Sequence, residues 1–198
     1  MWVEWQKYDA QLHISMMQVH PIAQSESELN IRRIQIFSDM VSSVGNGLNI
    51  LDAGCGDGVI SEPVLKMGNN VTSVELPGIV TLAPRYRTPF AVAGDAERLA
   101  FASGIFDLVI ASEVVEHLWD PESFFDEAYR VLRDDGYLII ETPEGKGSLN
   151  YDSHRHFFTV EILERLLGGR FALCRVERLE ATGSAQTKTI ILLFRKLK

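Results

Sequence analysis

Two patterns of apolar residues alternate along the chain. One has apolar residues at steps of three and four, which predicts helices, and the other consists of short continuous apolar runs, which predict strands. From residue 26 to residue 44 apolar residues fall at steps of mostly three and four, which is typical of a helix with one buried face. Short, continuous apolar runs follow. These runs predict strands at 49–53, 70–75, 90–93, 106–111, 137–142, 170–176 and 189–193. Helical spacing between them predicts helices at 59–67, behind the Asp120-Pro121 cap and from Thr159 to Leu167.

Continuous apolar strands that alternate with helices are typical of an α/β fold, in which helices cover both faces of a mostly parallel sheet. We divide the chain into residues 1–45, an N-terminal arm and helix that is a candidate substrate lid, and residues 46–198, which carry the sheet. Ligands of such sheets bind outside the carboxyl ends of the strands. Polar residues directly after each strand are therefore the first candidates for chemistry.

The composition indicates the class of protein and the cellular compartment to expect. Hydrophobic residues make up 46% of the 198 residues, an ordinary value for a globular domain. The sequence contains no run of about 18 uncharged apolar residues, so it predicts no membrane-spanning helix. The N-terminus lacks the pattern of a secretory signal, and two distant cysteines, Cys55 and Cys174, do not make a disulfide framework. We therefore expect a cytoplasmic protein, either a monomer or a homodimer.

The charge balance bears on the class of partner. The net charge is −8, from 19 basic and 27 acidic residues. Affinity for nucleic acid depends largely on Lys and Arg side chains that neutralise phosphates. An acidic chain without a basic run disfavours a nucleic-acid partner, so we expect a small-molecule substrate.

The stretch Asn49–Gly58 reads Asn-Ile-Leu-Asp-Ala-Gly-Cys-Gly-Asp-Gly and carries the clearest signal of a ligand site. Glycine permits a sharp turn after a strand and lets a ligand approach the backbone closely. The helix start that follows offers unpaired N–H groups. A dinucleotide fingerprint requires a third glycine where Val59 stands. This departure disfavours the alternative of a nicotinamide-dependent oxidoreductase.

Later strands also end in acidic residues that suit a nucleoside. Glu75 closes the second strand 23 residues after Asp52, at the position where a carboxylate accepts hydrogen bonds from ribose hydroxyls. Asp95 follows the third strand and can accept a hydrogen bond from an adenine amino group, with the backbone of Ala96 beside it. An ordinary acidic residue at a turn is the alternative interpretation of each.

The run from residue 49 to residue 143 resembles the class I S-adenosylmethionine-dependent methyltransferases. Six motifs carry the resemblance: Asp-x-Gly-x-Gly-x-Gly (52–58), the Glu75 tip, Gly-Asp-Ala-Glu-x-Leu-Ala-Phe (94–101), Phe-Asp-Leu-Val (106–109), Glu-x-x-Glu-His-Leu (113–118) and Arg-Val-Leu-x-x-x-Gly (130–136). The resemblance implies a Rossmann-like methyltransferase fold with a seven-stranded sheet, its last strand antiparallel, and S-adenosyl-L-methionine as cofactor. It also implies the cofactor-binding residues Asp52, Ala53, Gly54, Cys55, Gly56, Glu75, Leu76, Asp95, Ala96, Ala111, Ser112 and Glu113. One departure, Leu76-Pro77-Gly78 with two further prolines, stands where many relatives carry a regular helix.

The segment 153–159, Ser-His-Arg-His-Phe-Phe-Thr, resembles a subset of these enzymes that often methylates oxygen on small molecules such as quinone precursors. The resemblance implies that this segment lies over the active site, which makes His154 and His156 candidate bases; His117 is the third candidate. Histidine titrates near neutrality and can take a proton from a hydroxyl as that hydroxyl attacks the methyl group. A hydrogen bond that fixes the loop is the alternative role for each imidazole. We predict methyl transfer to a small-molecule acceptor, with oxygen as the accepting atom.

Glu113, Glu116 and His117 stand at positions i, i+3 and i+4, which one helical turn would place on a single face. With His156 or His154 they could ligate a divalent ion, and the Glu-x-x-Glu-His motif of small-RNA 2′-O-methyltransferases is similar. We predict no metal, because Glu-His-Leu is also common in relatives without one. A metal-dependent RNA 2′-O-methyltransferase and a non-catalytic subunit with this fold remain as alternatives.

Overall fold

The computed structural model describes residues 28–77, 91–150, 152–180 and 188–198. The predicted N-terminal arm and the proline-rich stretch 78–90 lie outside these residues. The strands are β1 Asn49–Ala53, β2 Asn70–Glu75, β3 Ala91–Ala93, β4 Phe106–Ser112, β5 Leu132–Pro143, β6 Phe171–Leu179 and β7 Thr189–Lys196. The helices are α1 Glu28–Val44, α2 Ser61–Lys66, α3 Pro121–Val131 and α4 Val160–Leu167, with a 3-10 turn at Lys146–Asn150.

The strands form one sheet in the order β3-β2-β1-β4-β5-β7-β6. Strands β1 to β5 pair in parallel, and β7 runs antiparallel to both of its neighbours. The prediction of a seven-stranded, mostly parallel sheet with an antiparallel last strand is confirmed. The strand order reverses between β1 and β4, and the carboxyl ends of these two strands therefore flank the crevice where ligands of such sheets bind.

Helices cover both faces of the sheet, as the continuous apolar strands predicted. Successive side chains of β4 point to opposite faces: Val109 and Ala111 pack with α3 and α4, whereas Leu108 and Ile110 pack with α1 and α2. Four side chains of α1 are buried in the second of these layers: Ile36, Phe37, Met40 and Val41. None of the described helices is long and apolar enough to cross a lipid bilayer.

Helix starts follow local capping chemistry. The Asp120 side chain accepts hydrogen bonds from the backbone N–H groups of Glu122 and Ser123, with Pro121 in the first turn, so α3 begins where the sequence predicts. By contrast, α2 begins two residues later than predicted. The Asp57 side chain accepts a hydrogen bond from Val59 N at 3.2 Å, and these residues therefore complete the glycine turn instead of entering the helix.

Strand β5 starts at Leu132, five residues before the predicted start. Leu132 pairs with Phe106, the register then shifts, and regular pairing resumes at Tyr137. Asp135 lies between them with a left-handed φ of 61°. The Asp134-Asp135-Gly136 turn that the sequence predicted is therefore an irregularity inside β5 and not a separate connection before it.

Candidate functional site

The glycine turn after β1 is shaped by contacts that only glycine permits. Gly54 has a φ of 78° and Gly56 a φ of 54°. A methyl group at position 54 would overlap the side chain of Val114, which belongs to the loop after β4. The N–H groups of Gly54 and Cys55 both donate to the carbonyl oxygen of Val74, at 2.8 and 3.1 Å. The turn is thus held against β2, and its backbone is open to close approach from the crevice.

Asp52 lies buried at the end of β1. The Ser61 hydroxyl of α2 donates to its Oδ2 atom, whereas its buried Oδ1 atom has no hydrogen-bond partner among the described residues. Burial raises the pKa of Asp52 to about 6, and the nearby Glu75 carboxylate adds to the rise. A carboxylate with an unpaired oxygen at a strand end favours a ligand that brings a donor or a positive charge.

Glu75 joins β2 to the glycine turn. Its Oε2 atom accepts a hydrogen bond from Gly56 N at 2.8 Å, and its Oε1 atom accepts one from Leu76 N at 2.7 Å. Burial raises the pKa of the adjacent Cys55 thiol, and the Asp52 and Glu75 charges raise it further. Cys55 is therefore a neutral packing residue and not a thiolate nucleophile.

The turn after β3 is linked to the loop after β4. Asp95 Oδ1 accepts a hydrogen bond from Glu97 N at 2.9 Å. Glu97 Oε1 accepts in turn from the backbone N–H groups of Trp119 and Asp120, at 2.5 and 2.8 Å. Sequence reasoning gave Glu97 no role of its own. Its place in the Gly-Asp-Ala-Glu motif was the one available signal, since its partners lie more than twenty residues away.

Two glutamates follow β4 in strained or buried positions. Glu113 has a left-handed φ of 56°, which is uncommon for a residue with a side chain and typical of functional sites. Burial raises its pKa to about 7, with Glu141 as the second cause. Glu116 is fully buried, and its Oε2 atom accepts a hydrogen bond from Thr142 Oγ1 at 3.0 Å. Burial, followed by the Glu113 charge, raises the pKa of Glu116 well above its ordinary value.

Arg33 of α1 supplies a positive charge beside these carboxylates. Its Nε atom donates to Glu141 Oε2 at 2.8 Å, and its Nη2 atom donates to Ser112 Oγ at 2.5 Å. Ser112 Oγ also donates to Glu141 Oε2, at 2.6 Å. The sequence analysis assigned no role to Arg33. Its place on the same helical face as the buried Phe37 and Met40 was a signal that could have identified it.

The segment 153–156 is attached to the loop after β4 by backbone hydrogen bonds. The N–H groups of Arg155 and His156 donate to the carbonyl oxygen of Glu116, at 2.8 and 3.2 Å. The His156 Nε2 atom lies 3.0 Å from the carbonyl oxygen of Leu118. These contacts are of the kind that the alternative role of His156, a hydrogen bond that fixes the loop, requires.

His117 and His154 lie together beside Glu116. His117 Nδ1 is 3.0 Å from the carbonyl oxygen of Ser153, and the two imidazole centres are 4.7 Å apart in an edge-to-face arrangement. One potential ligand atom from each of Glu116, His117 and His154 lies within 4.8 Å of the others. The structure thus groups His154 with Glu116 and His117 of the candidate metal set, whereas His156 contacts Leu118 and Glu113 is not part of this group.

These elements surround one cavity at the carboxyl edge of the sheet. Its described lining includes seven of the residues that the sequence singled out: Gly54, Glu75, Leu76, Asp95, Ala96, Glu113 and His117. It also includes Val74, Gly94, Glu97, Val114, Leu118, Trp119 and Ser153. The other predicted site residues are not part of this lining: Asp52, Ala53, Cys55, Gly56, Ala111, Ser112, His154 and His156.

Comparisons with known proteins agree with this architecture. Residues 51–140 match the sequence model of a family described as a methyltransferase domain. The ubiquinone biosynthesis O-methyltransferase of Azorhizobium caulinodans is 39% identical over 102 residues, which are 48% of this chain and 40% of that protein. Its counterpart in Rhizobium leguminosarum bv. trifolii is 37% identical over the same shares. The match spans about two fifths of the length of these relatives.

Solved structures resemble the chain over most of its length. The N-methyltransferase NodS from Bradyrhizobium japonicum, in complex with S-adenosyl-L-homocysteine, has a TM-score of 0.76 and 18% identity over 90% of this chain and 92% of its own. The Burkholderia thailandensis 1,6-didemethyltoxoflavin-N1-methyltransferase has a TM-score of 0.74 and 21% identity over 96% of this chain and 87% of its own. Together with the strand order, these findings show that residues 51–140 are similar in sequence to a methyltransferase domain and that the chain has the fold of these methyltransferases.

Proposed function

We propose that this chain transfers the methyl group of S-adenosylmethionine to a hydroxyl oxygen of a small molecule. The observation that carries the proposal is the cavity that joins the glycine turn at Gly54 with Glu75 and Asp95. The choice of oxygen rests on the similarity to proteins named O-methyltransferases. A small-molecule acceptor also agrees with the acidic balance of the chain.

The residues of the cavity suit the parts of this cofactor. We assign Glu75 to the ribose hydroxyls, and the turn of Asp95 and Ala96 to the adenine. The glycine turn and Glu113 then meet the amino-acid tail and the sulfur. S-adenosylmethionine supplies a methyl group on a positively charged sulfur, and the carboxylates around the cavity favour a cation there.

For the acceptor, the chain has to position a hydroxyl and accept its proton. His117 lines the cavity, and the imidazole of His154 packs against that of His117. We therefore assign proton acceptance to this pair. His156 is assigned a positioning role, because its Nε2 atom contacts the Leu118 carbonyl. The transfer is an in-line displacement, for which exclusion of water and orientation of the two reactants contribute most of the acceleration.

Calorimetry with S-adenosylhomocysteine tests the cofactor assignment. We expect saturable binding to the wild-type chain. Glu75→Gln should weaken it by about 10- to 100-fold, because a charged acceptor for the ribose hydroxyls is lost. Glu164→Gln, on the exposed face of α4, is the matched control and should bind like the wild type. A wild-type chain without saturable binding would overturn the proposal.

A second form of the same function is favoured by the cluster of Glu116, His117 and His154. The buried Oε1 atom of Glu116 has no hydrogen-bond partner among the described residues, and one carboxylate with two imidazoles is a donor set that suits Zn²⁺ or a related ion. A divalent ion held there would lower the pKa of a hydroxyl bound to it. In this form the histidines are ligands and not bases.

Metal content and chelator sensitivity separate the two forms. Release of S-adenosylhomocysteine should be measured against a panel of small hydroxylated acceptors, before and after treatment with EDTA. Loss of turnover that Zn²⁺ restores, together with loss of bound metal in His154→Ala but not in His156→Ala, would support the metal form. Turnover that EDTA leaves unchanged would support the histidine pair as bases.

A further inference from the structure

Trp119 is a large aromatic side chain in the lining of the cavity that sequence reasoning assigned no role. It remains 48% exposed, three residues after the buried Glu116. Burial of such a ring against protein would usually be favourable. A ring left open at the rim of a ligand cavity is a candidate for contact with the ligand itself.

The backbone and the ring of Trp119 each make one defined contact. Its own backbone N–H donates to Glu97 Oε1 at 2.5 Å, which ties the residue to the turn after β3. The guanidinium carbon of Arg155 lies 3.6 Å from the centre of the ring, in a cation–π stack. The backbone N–H of Arg155 donates a hydrogen bond to the carbonyl oxygen of Glu116. The stack therefore connects the segment 153–156 with the loop after β4, and both are held by hydrogen bonds. Such a ring loses little conformational freedom when a ligand stacks on it.

The hydrogen bonds of the Trp119 backbone indicate which part of the ligand lies near this residue. Through Glu97, Trp119 is bonded to the turn of Asp95 and Ala96, where the proposed function puts the adenine. Adenine is the flat aromatic part of the cofactor, and every nucleobase has a π-face on which an aromatic side chain can stack. The amino-acid tail is assigned to Gly54 and Glu113.

We propose that Trp119 is a cofactor-binding residue that stacks on the adenine, and that Arg155 is a positioning residue that orients the indole. This inference rests on the proposed function and deepens it. One face of the indole carries Arg155, and the adenine takes the open surface at the cavity. The specificity for an adenine nucleoside then comes from Asp95 at the base edge and from Trp119 at its face.

Binding measurements with two ligands test the proposal. S-adenosylhomocysteine carries both adenosine and the amino-acid tail, whereas 5′-methylthioadenosine lacks the tail. Trp119→Ala should raise the Kd of both ligands by the same factor of about ten, which is about 1.4 kcal/mol. Trp119→Phe keeps an aromatic face and should stay within about threefold of the wild type. Ile105→Ala, at an exposed apolar residue outside the cavity, is the control and should change neither Kd.

Fluorescence gives a readout that a purely structural role would not change. The chain has three tryptophans, and a variant with Trp2→Phe and Trp5→Phe retains the indole of Trp119 alone. Stacking of adenine should quench its emission when either ligand is added. Arg155→Met should weaken both the quenching and the binding, and Arg155→Lys should restore part of each because a cation over the ring is retained.

The outcomes separate this inference from the function on which it rests. Failure of the wild-type chain to bind S-adenosylhomocysteine would overturn the proposed function. Normal wild-type binding, with an unchanged Kd in Trp119→Ala and no quenching, would overturn the adenine contact alone. A rise in the KM of the acceptor without a change in cofactor Kd would also overturn it, because the ring would then face the acceptor. If Trp119→Ala does not fold, the quenching experiment decides, because it leaves Trp119 unchanged.

Discussion

Gly54 combines a backbone conformation and a contact that each exclude a side chain. Its φ of 78° is left-handed, and a Cβ atom would overlap Val114. We expect Gly54→Ala to lower the free energy of unfolding by about 1–2 kcal/mol for the conformation, with about 1–3 kcal/mol more for the overlap. Urea denaturation monitored by circular dichroism measures the sum.

Gly68 provides the matched control for this prediction. It has a similar φ of 88°, but a Cβ atom there would meet nothing within 4 Å. Gly68→Ala should therefore show the conformational cost without the overlap, and Val114→Ala should restore part of the stability of Gly54→Ala. Equal losses in the two glycine variants would show that the contact with Val114 contributes nothing.

Asp52 should destabilise the unliganded protein at neutral pH. Its pKa rises from an ordinary 3.8 to about 6, so the folded state binds the proton more tightly than the unfolded chain does. The resulting stability is fully present below about pH 4 and is lost as the pH rises through about 6. Two pKa units correspond to about 3 kcal/mol.

Asp52→Asn removes this dependence while it keeps an oxygen that can accept from Ser61. We expect the variant to be more stable than the wild type at pH 7.5 by up to about 3 kcal/mol, and no more stable at pH 4. The same variant should bind S-adenosylmethionine more weakly, because a negative charge near a cationic ligand is lost. A stability difference that does not change between pH 4 and pH 7.5 would contradict the assignment.

Some residues of the candidate site belong to local motifs and could be predicted, whereas others depend on partners that are distant in the sequence. Gly54, Glu75 and Asp95 could be identified because each directly follows a strand, and strand and turn are both encoded within a few residues. For Arg33, local spacing could indicate only the buried face of α1 and not the partner Glu141, which is 108 residues away. A pairing of this kind is set by the packing of α1 against the sheet and leaves no trace in local spacing.

Helix α1 is attached to the sheet by charge as well as by its apolar face. Only 1% of the Glu141 side chain is exposed, and Arg33 is the partner that neutralises it. Removal of one member of a buried ion pair leaves an uncompensated charge, at a cost of about 3–5 kcal/mol. We expect Arg33→Ala to lower the free energy of unfolding by this amount.

Two further variants determine whether the charge is the cause. Glu141→Gln in the Arg33→Ala background removes the unpaired carboxylate and should recover part of the lost stability. Arg32→Ala changes the exposed neighbour on the same helix and should shift the unfolding free energy by less than about 0.5 kcal/mol. If Arg33→Ala and Arg32→Ala behave alike, the ion pair does not hold α1 in place.

The types of the secondary-structure elements were easier to predict than their ends. Apolar runs identified all seven strands of the described sheet, and the runs are most continuous in β1 and β4, which are buried on both faces. The ends depend on contacts outside the local window. For β5 the pairing of Leu132 with Phe106 extends the strand beyond its apolar run, and for α2 the Asp57 side chain delays the first turn.

At the level of the complete fold, four acidic residues from separate parts of the sequence lie at one edge of the sheet. Asp52, Glu75, Glu113 and Glu141 all lie at or just after the carboxyl ends of strands, where the strand order reverses between β1 and β4. Parallel strands bring these distant residues to one edge of the sheet. The net charge of −8 in the sequence could not show this concentration, which depends on the order of the strands.

The contribution of α1 to the core tests the division of the chain at residue 45. Burial of a large apolar side chain stabilises a fold by about 1.5–3 kcal/mol, and α1 buries four of them: Ile36, Phe37, Met40 and Val41. Their sum is comparable to the total stability of a typical domain, about 5–15 kcal/mol. We therefore expect a chain of residues 46–198 to lose cooperative unfolding, since it also lacks Arg33.

A chain of residues 28–198 is the matched comparison, because it retains α1 and its ion pair. It should unfold cooperatively and bind S-adenosylhomocysteine with an affinity within about threefold of the full chain. If residues 1–27 contribute to a substrate lid, this chain should lose turnover of the acceptor while cofactor binding persists, since closure acts on the reaction and not on the adenosine site. Cooperative unfolding of residues 46–198 at the midpoint of the full chain would show that α1 is an appendage, and the packing of its buried face would then contribute little to the fold.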